Sequence, residues 1–211
     1  MDNFKSEILN LENEVDNQDI LVKEGMYPIL VTSVHSMVQV KDDGNIKLNE
    51  PYTKAIAKYL SKNEKIGYFI KNKDTGEDSN HTDDDEFKNL LIDYINKNDI
   101  KLVIDLHGAS ESRPFDIELG TLNNLSADFS TIMELKEAFQ ENGISNIDIN
   151  DPFKGGKVTQ SVFFNTNAEV IQIEINKKYR DIENIENIEK VCTAISNFIK
   201  QYISIINRDN Q

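Results

Sequence analysis

The chain has 211 residues, a formal net charge of −14, 38% hydrophobic and 28% charged residues, and one cysteine, Cys192. One cysteine excludes an internal disulfide and a Cys-rich zinc knuckle. The negative charge repels phosphate backbones, and its only arginines are Arg113, Arg180 and Arg208, so nucleic acid is not the expected partner.

An acidic, polar start (MDNFKSEILNLENEVDNQD) lacks the basic and apolar regions of a signal peptide. No apolar run nears the ~18 residues of a membrane span. The expectation is therefore a cytoplasmic protein with no membrane partner. Residues 1–18 are read as a flexible or edge segment. ILVTSV at 29–34 reads as a buried strand, and PYTKAIAKYLS at 51–61 as a helix opened by Pro51. Between them, QVKDDGNIKLNE matches the back of an EF-hand loop. Gln39 and Lys41 stand where calcium needs acids, so it reads as a turn built on Asp-Gly. IGYFI at 66–70 reads as a strand, 84–97 as a helix, KLVIDLHGA at 101–109 as a strand entering a loop, and 115–119 as a further strand. Residues 126–142 read as a helix, 160–164 and 169–175 as strands, and 184–206 as a last helix. Alternating strands and helices with no linker or repeat predict one domain over 1–211. Its expected class is α/β, with a mixed, mostly parallel sheet and helices on both faces.

The three histidines carry most of the chemical signal. His35 follows the first strand and His107 the KLVID strand, and ligands of open α/β sheets bind beyond the carboxyl ends of strands. Ser36 and Gly108, next in each case, are small enough to leave room for a ligand. Neutral imidazole ligates zinc, and Asp105 can orient His107 from behind. Glu174, in EVIQIEINKKYR, is a carboxylate on a strand face shared with Gln172. Beside a metal-bound water it can take and return a proton. Catalytic zinc keeps three protein ligands. The third is sought among Glu50, Glu77, Asp78 and His81. The acid-rich run from Asp74 to Glu86 reads as a solvated loop with acids favouring a helix N-terminus. Cys192 reads as a packing residue.

ILVTSVHSM, KLVIDLHGAS and VIQIEINKKYR, in this order, resemble the N-formylglutamate amidohydrolase family, a branch of the zinc carboxypeptidase-like hydrolases. The resemblance implies a carboxypeptidase-like (phosphorylase/hydrolase-like) fold. It implies one zinc per chain, or another divalent transition metal, on two histidines and a carboxylate. His35, Glu50 and His107 would be the ligands and Glu174 the catalytic acid/base. Carboxypeptidases carry H-x-x-E at the first site, where this chain has Val38; Glu50 takes that place because NEPYT is similar to the E-x-x-T that opens a helix in related branches. The implied reaction is metal-activated hydrolysis of a small acidic N-acyl amino acid, with Arg113, Arg180 and His81 as candidate substrate contacts. A zinc peptidase acting on γ-glutamyl or cell-wall peptides, and a non-catalytic metal-binding domain, are the competing readings.

Overall fold

The structure, a computed structural model, describes residues 2–40 and 43–209. In chain order the elements are α1 (Asp2–Asn13), β1 (Ile20–Lys23), β2 (Tyr27–Ser33), β3 (Gln39–Val40), β4 (Ile46–Lys47), α2 (Thr53–Glu64), β5 (Ile66–Lys71), α3 (Glu86–Lys97), β6 (Leu102–Ala109), β7 (Ile117–Gly120), α4 (Phe129–Glu141), β8 (Ile147–Ile149), α5 (Lys157–Asn165), β9 (Glu169–Asn176) and α6 (Ile185–Asp209). Seven strands form one sheet in the order β1-β5-β2-β6-β9-β7-β8. The pairings β5–β2, β2–β6, β6–β9 and β7–β8 are parallel; β1–β5 and β9–β7 are antiparallel. This is the mixed, mostly parallel sheet of a single α/β domain. The described residues contain no helix long and apolar enough to cross a membrane.

Side chains alternate across a strand, so each central strand feeds two cores. Ile29 and Val31, Leu102, Ile104 and Leu106, and Ile171, Ile173 and Ile175 pack against α1, α2, α4 and α6. Leu30, Val103 and Val170 point the other way, onto α3 and α5. That second face is apolar only over the first half of the strands. Further along, the same face carries Thr32 on β2, Asp105 and His107 on β6, and Gln172 and Glu174 on β9, all buried. Register aligns them: Thr32 with Asp105, Asp105 with Gln172, and His107 with Glu174.

Two segments differ from the sequence expectation. Asp2–Asn13 is a helix rather than a flexible segment, because Phe4, Ile8 and Leu11 recur at helical spacing and pack on the α2 side of the core. Glu12 of this helix also caps α2, accepting hydrogen bonds from the backbone N–H groups of Tyr52 (3.0 Å) and Ala55 (3.3 Å). Residues 160–164, read as a strand, lie within α5. The helical form buries Val158 and Val162 on one turn-spaced face and leaves Phe164 in solvent. The turn expected at Asp-Gly lies in the small hairpin β3–β4, with Gly44 at φ 80°. Lys41 lies outside the described residues.

Candidate metal centre

The polar half of the sheet is the floor of a cleft of about 460 Å³. Its walls are the hairpin β3–β4, the loop after β5, the loop after β6 and the 152–156 segment before α5. His35 stands two residues beyond β2 and His107 within the end of β6. Glu50 precedes α2, and its N–H donates to the His35 carbonyl (2.8 Å). Ligating atoms of His35, Glu50 and His107 all lie within 4.8 Å of one another, and the three residues are buried. The Nδ1 atoms of the two imidazoles are 3.2 Å apart. Glu50 Oε1 lies 3.0 Å from His35 Nδ1, and Oε2 lies 3.6 Å from His107 Nδ1.

The outer nitrogens settle the polarity of this cluster. His35 Nε2 meets Asp78 Oδ1 at 2.8 Å and His107 Nε2 meets Asp105 Oδ2 at 3.2 Å. An ionised carboxylate only accepts, so both Nε2 atoms donate, and both Nδ1 atoms turn inward toward Glu50. Lone pairs converging from two imidazoles and a carboxylate repel unless a proton or a cation sits among them. With Zn–N bonds of about 2.0–2.1 Å, a tetrahedral site separates its nitrogens by about 3.3 Å, close to the spacing present. Three protein donors, two of them buttressed from behind by carboxylates, fit a divalent ion with an open position.

The electrostatics agree. Burial alone raises the Glu50 carboxyl, but His35 and His107 hold it well below the usual range. Burial alone lowers the His107 imidazole, yet Asp105 and Glu50 hold it well above its ordinary value. Asp78, despite partial burial, is brought to about 2 by His35. Glu174 goes the other way: burial raises its carboxyl, against the pull of His107. Its Oε1 accepts from Gln172 Nε2 (2.9 Å), and Gln172 Oε1 accepts from Gly156 N–H (2.7 Å). A carboxyl of raised affinity for protons beside a metal-type donor set is equipped to take and release one.

Of the candidates for the third donor, Glu50 joins the histidines. Asp78 sits on the far nitrogen of His35 instead, His81 is exposed at the cleft rim, and Glu77 lies outside the cleft. Arg113 is exposed at the rim, its guanidinium 4.7 Å over the Phe153 ring. Arg180 is a correction. It is buried away from the cleft lining and spends its guanidinium on the carbonyls of Ile175 (3.0 Å), Pro51 (2.7 Å) and Ala109 (3.2 Å). Gly108 is small for the same reason: a Cβ there would lie 2.3 Å from Arg180 Cζ. Its N–H instead holds Glu50 Oε2 at 2.8 Å. Ser36 likewise leaves no ligand space, its hydroxyl donating to the Lys71 carbonyl.

The acidic run at 74–86 is less solvated than its composition suggests. Buried Lys71 donates to the Glu77 carbonyl (2.5 Å) and to Ser79 Oγ (2.8 Å), and buried Lys88 to the Ser79 carbonyl (3.0 Å). These bonds hold the loop so that Asp78 reaches His35. Two further residues escaped the sequence reading. Lys47, on β4, donates to Glu50 Oε1 at 2.6 Å. Glu118, on β7, stands in register with Glu174 and is fully buried. An acid repeated at matching points of neighbouring strands is visible only once the strands are paired.

The fold is an α/β architecture shared with solved amidohydrolases and amidases. The N-formylglutamate amidohydrolase of Ralstonia eutropha JMP134 superposes with a TM-score of 0.62 at 12% identity, over 87% of this chain and 98% of that one. A bacteriophage poly-gamma-glutamate hydrolase gives 0.59 at 13% identity, over 94% and 97%. The N-acetylmuramoyl-L-alanine amidase of Clostridium difficile 630 gives 0.52 at 16%, over 86% and 98%. No curated protein matches the chain. Residues 87–179 match the model of the N-formylglutamate amidohydrolase family. The match contains His107, Arg113 and Glu174, which bears out the resemblance read from DLH and Q-x-E-x-N; His35 and Glu50 lie before it.

Proposed function

We propose that this chain is a metal-dependent amidohydrolase that cleaves the amide of a small acidic N-acyl amino acid. The observation that carries the reading is the convergence of His35, Glu50 and His107 donors, with Glu174 on the neighbouring strand in register with His107. The donor set suits zinc, and also manganese, cobalt or nickel. Bound there, the ion supplies a water of lowered pKa and polarises the amide carbonyl.

Asp78 and Asp105 keep both imidazoles in the ligating tautomer. Glu174 takes one proton from water as the new C–O bond forms, and passes it to the amide nitrogen as the C–N bond breaks. Gln172 orients that carboxylate. Exposed Arg113 and Lys154, with His81, line the mouth of the cleft, where a substrate carboxylate would meet positive charge in an otherwise acidic protein. A γ-glutamyl peptide is the second reading, supported by the likeness to the phage hydrolase over 94% of the chain. The non-catalytic reading supposes a missing third ligand, and the Glu50 carboxylate beside both imidazoles speaks against it.

The test is metal analysis joined to an amide screen. Purified chain is expected to hold about one equivalent of a divalent metal, as a three-ligand site does, and His35→Ala to lose it. N-formyl-glutamate, other N-acyl amino acids and γ-glutamyl peptides are then compared. A fully loaded protein that cleaves none of them overturns the proposal.

A further inference from the structure

We propose that Lys47 is the second cation of the reaction, the donor that meets negative charge on the substrate carbonyl oxygen as water adds; the inference rests on the hydrolase reading. Amide hydrolysis places charge on that oxygen in the transition state, and a fixed donor aimed there lowers the barrier. The floor of the cleft offers few free polar hydrogens. Gly108 N–H is held by Glu50, Gly156 N–H by Gln172, and the Gln172 amide by Glu174. The Arg180 guanidinium is spent on three carbonyls. Arg113 lies at the rim against Phe153.

Lys47 differs from all of these. It lines the cleft and, among the described residues, makes one hydrogen bond, to Glu50 Oε1, although an ammonium carries three donors. Its side chain is 28% exposed and lines the cleft, so packed protein does not enclose the ammonium. Its charge also acts on the Glu174 and Asp78 carboxyls, lowering both, so it stands near the proposed base as well as the ligand cluster. The element that carries it is a two-stranded hairpin whose Val40, Ile46 and Leu48 stay in solvent. The 2.6 Å bond to Glu50 Oε1 is what holds the ammonium at the cleft. In the reaction Lys47 keeps its proton and gives only a hydrogen bond; the proton from water still travels through Glu174 to the leaving nitrogen.

The experiment uses metal-loaded full-length protein, with Lys47→Met and Lys47→Arg, read by metal affinity, by kcat and KM on a cleaved amide, and by affinity for a phosphinate isostere of that amide. Lys47→Met is expected to keep its metal, lose about 10²–10³ in kcat with little change in KM, and bind the phosphinate correspondingly more weakly. Lys47→Arg is expected to recover part of both. A Met variant that loses metal while turning over normally per bound ion would show that Lys47 merely orients Glu50, and unchanged kcat and phosphinate affinity would remove it altogether. If the wild type cleaves no amide, the phosphinate readout still decides: weaker binding in the Met variant keeps the anion-facing role while the hydrolase reading falls.

Discussion

The two faces of the central sheet are built from the same three strands and do opposite work. On the side of α1, α2, α4 and α6, isoleucine, leucine and valine dominate β2, β6 and β9. On the side of α3 and α5 the same strands begin with Leu30, Val103 and Val170 and end with Thr32, Asp105, His107, Gln172 and Glu174. One face supplies apolar burial, worth about 25 cal/mol per Å². The other gives up that burial over half its length and holds charges that must be paired to be tolerated. A single-residue change of strand register would exchange the two faces, so the apolar side fixes where the chemistry stands.

Substitutions on each side sharpen this contrast. The largest effect is expected from Glu174→Gln, which should lower kcat by about 10²–10⁴ while leaving metal content and thermal midpoint close to the wild type. Normal turnover in that variant would remove Glu174 from the reaction. Ile104→Ala, one residue before Asp105 but on the opposite face, should destabilise the fold by about 2–5 kcal/mol in denaturant titration and leave metal affinity unchanged. If the metal is lost before the fold weakens, the faces are not independent. Asp78→Asn removes the carboxylate behind His35 and should weaken metal affinity about 10–100-fold in a chelator competition; undiminished affinity would make the loop contact incidental.

The smallest effect concerns pH. Burial, with Glu174 adding its charge, pushes the Glu118 carboxyl from 4.5 up to about 7. The folded chain therefore holds a proton that the unfolded chain releases earlier. The stability this provides is complete below about 4.5 and is lost as pH rises through about 7. Glu118→Gln stays neutral throughout, so its melting temperature relative to wild type should be higher at pH 8 than at pH 5. A constant difference across that range would contradict the assignment.

What sequence reading reached, and what it missed, follows the same division. β2, β6 and β9 are dense apolar runs, legible without partners, and the histidines and glutamate at their ends came with them. Glu50 was reached through its place at the start of a helix. The Asp78 contact was not, because an aspartate among acids reads as solvated until Lys71 and Lys88 are seen beneath the loop. α5 was missed because Val162, Phe163 and Phe164 favour a strand locally, and only packing on α3 and the sheet selects the helix. Arg180 was taken for a substrate contact since an arginine near a site suggests an anion. Its three carbonyl partners come from segments far apart in the chain, which no local pattern encodes.

That arginine has a consequence for how the molecule comes together during synthesis. Every donor of the ligand cluster, and Glu174 as well, leaves the ribosome before residue 180. Until Arg180 follows and ties the carbonyls after His107, before α2 and at the end of β9, those groups lack the clasp that holds their backbones side by side. A nascent chain halted just short of it would carry every donor but lack this clasp, so its grip on an ion is expected to be weaker than that of the finished chain.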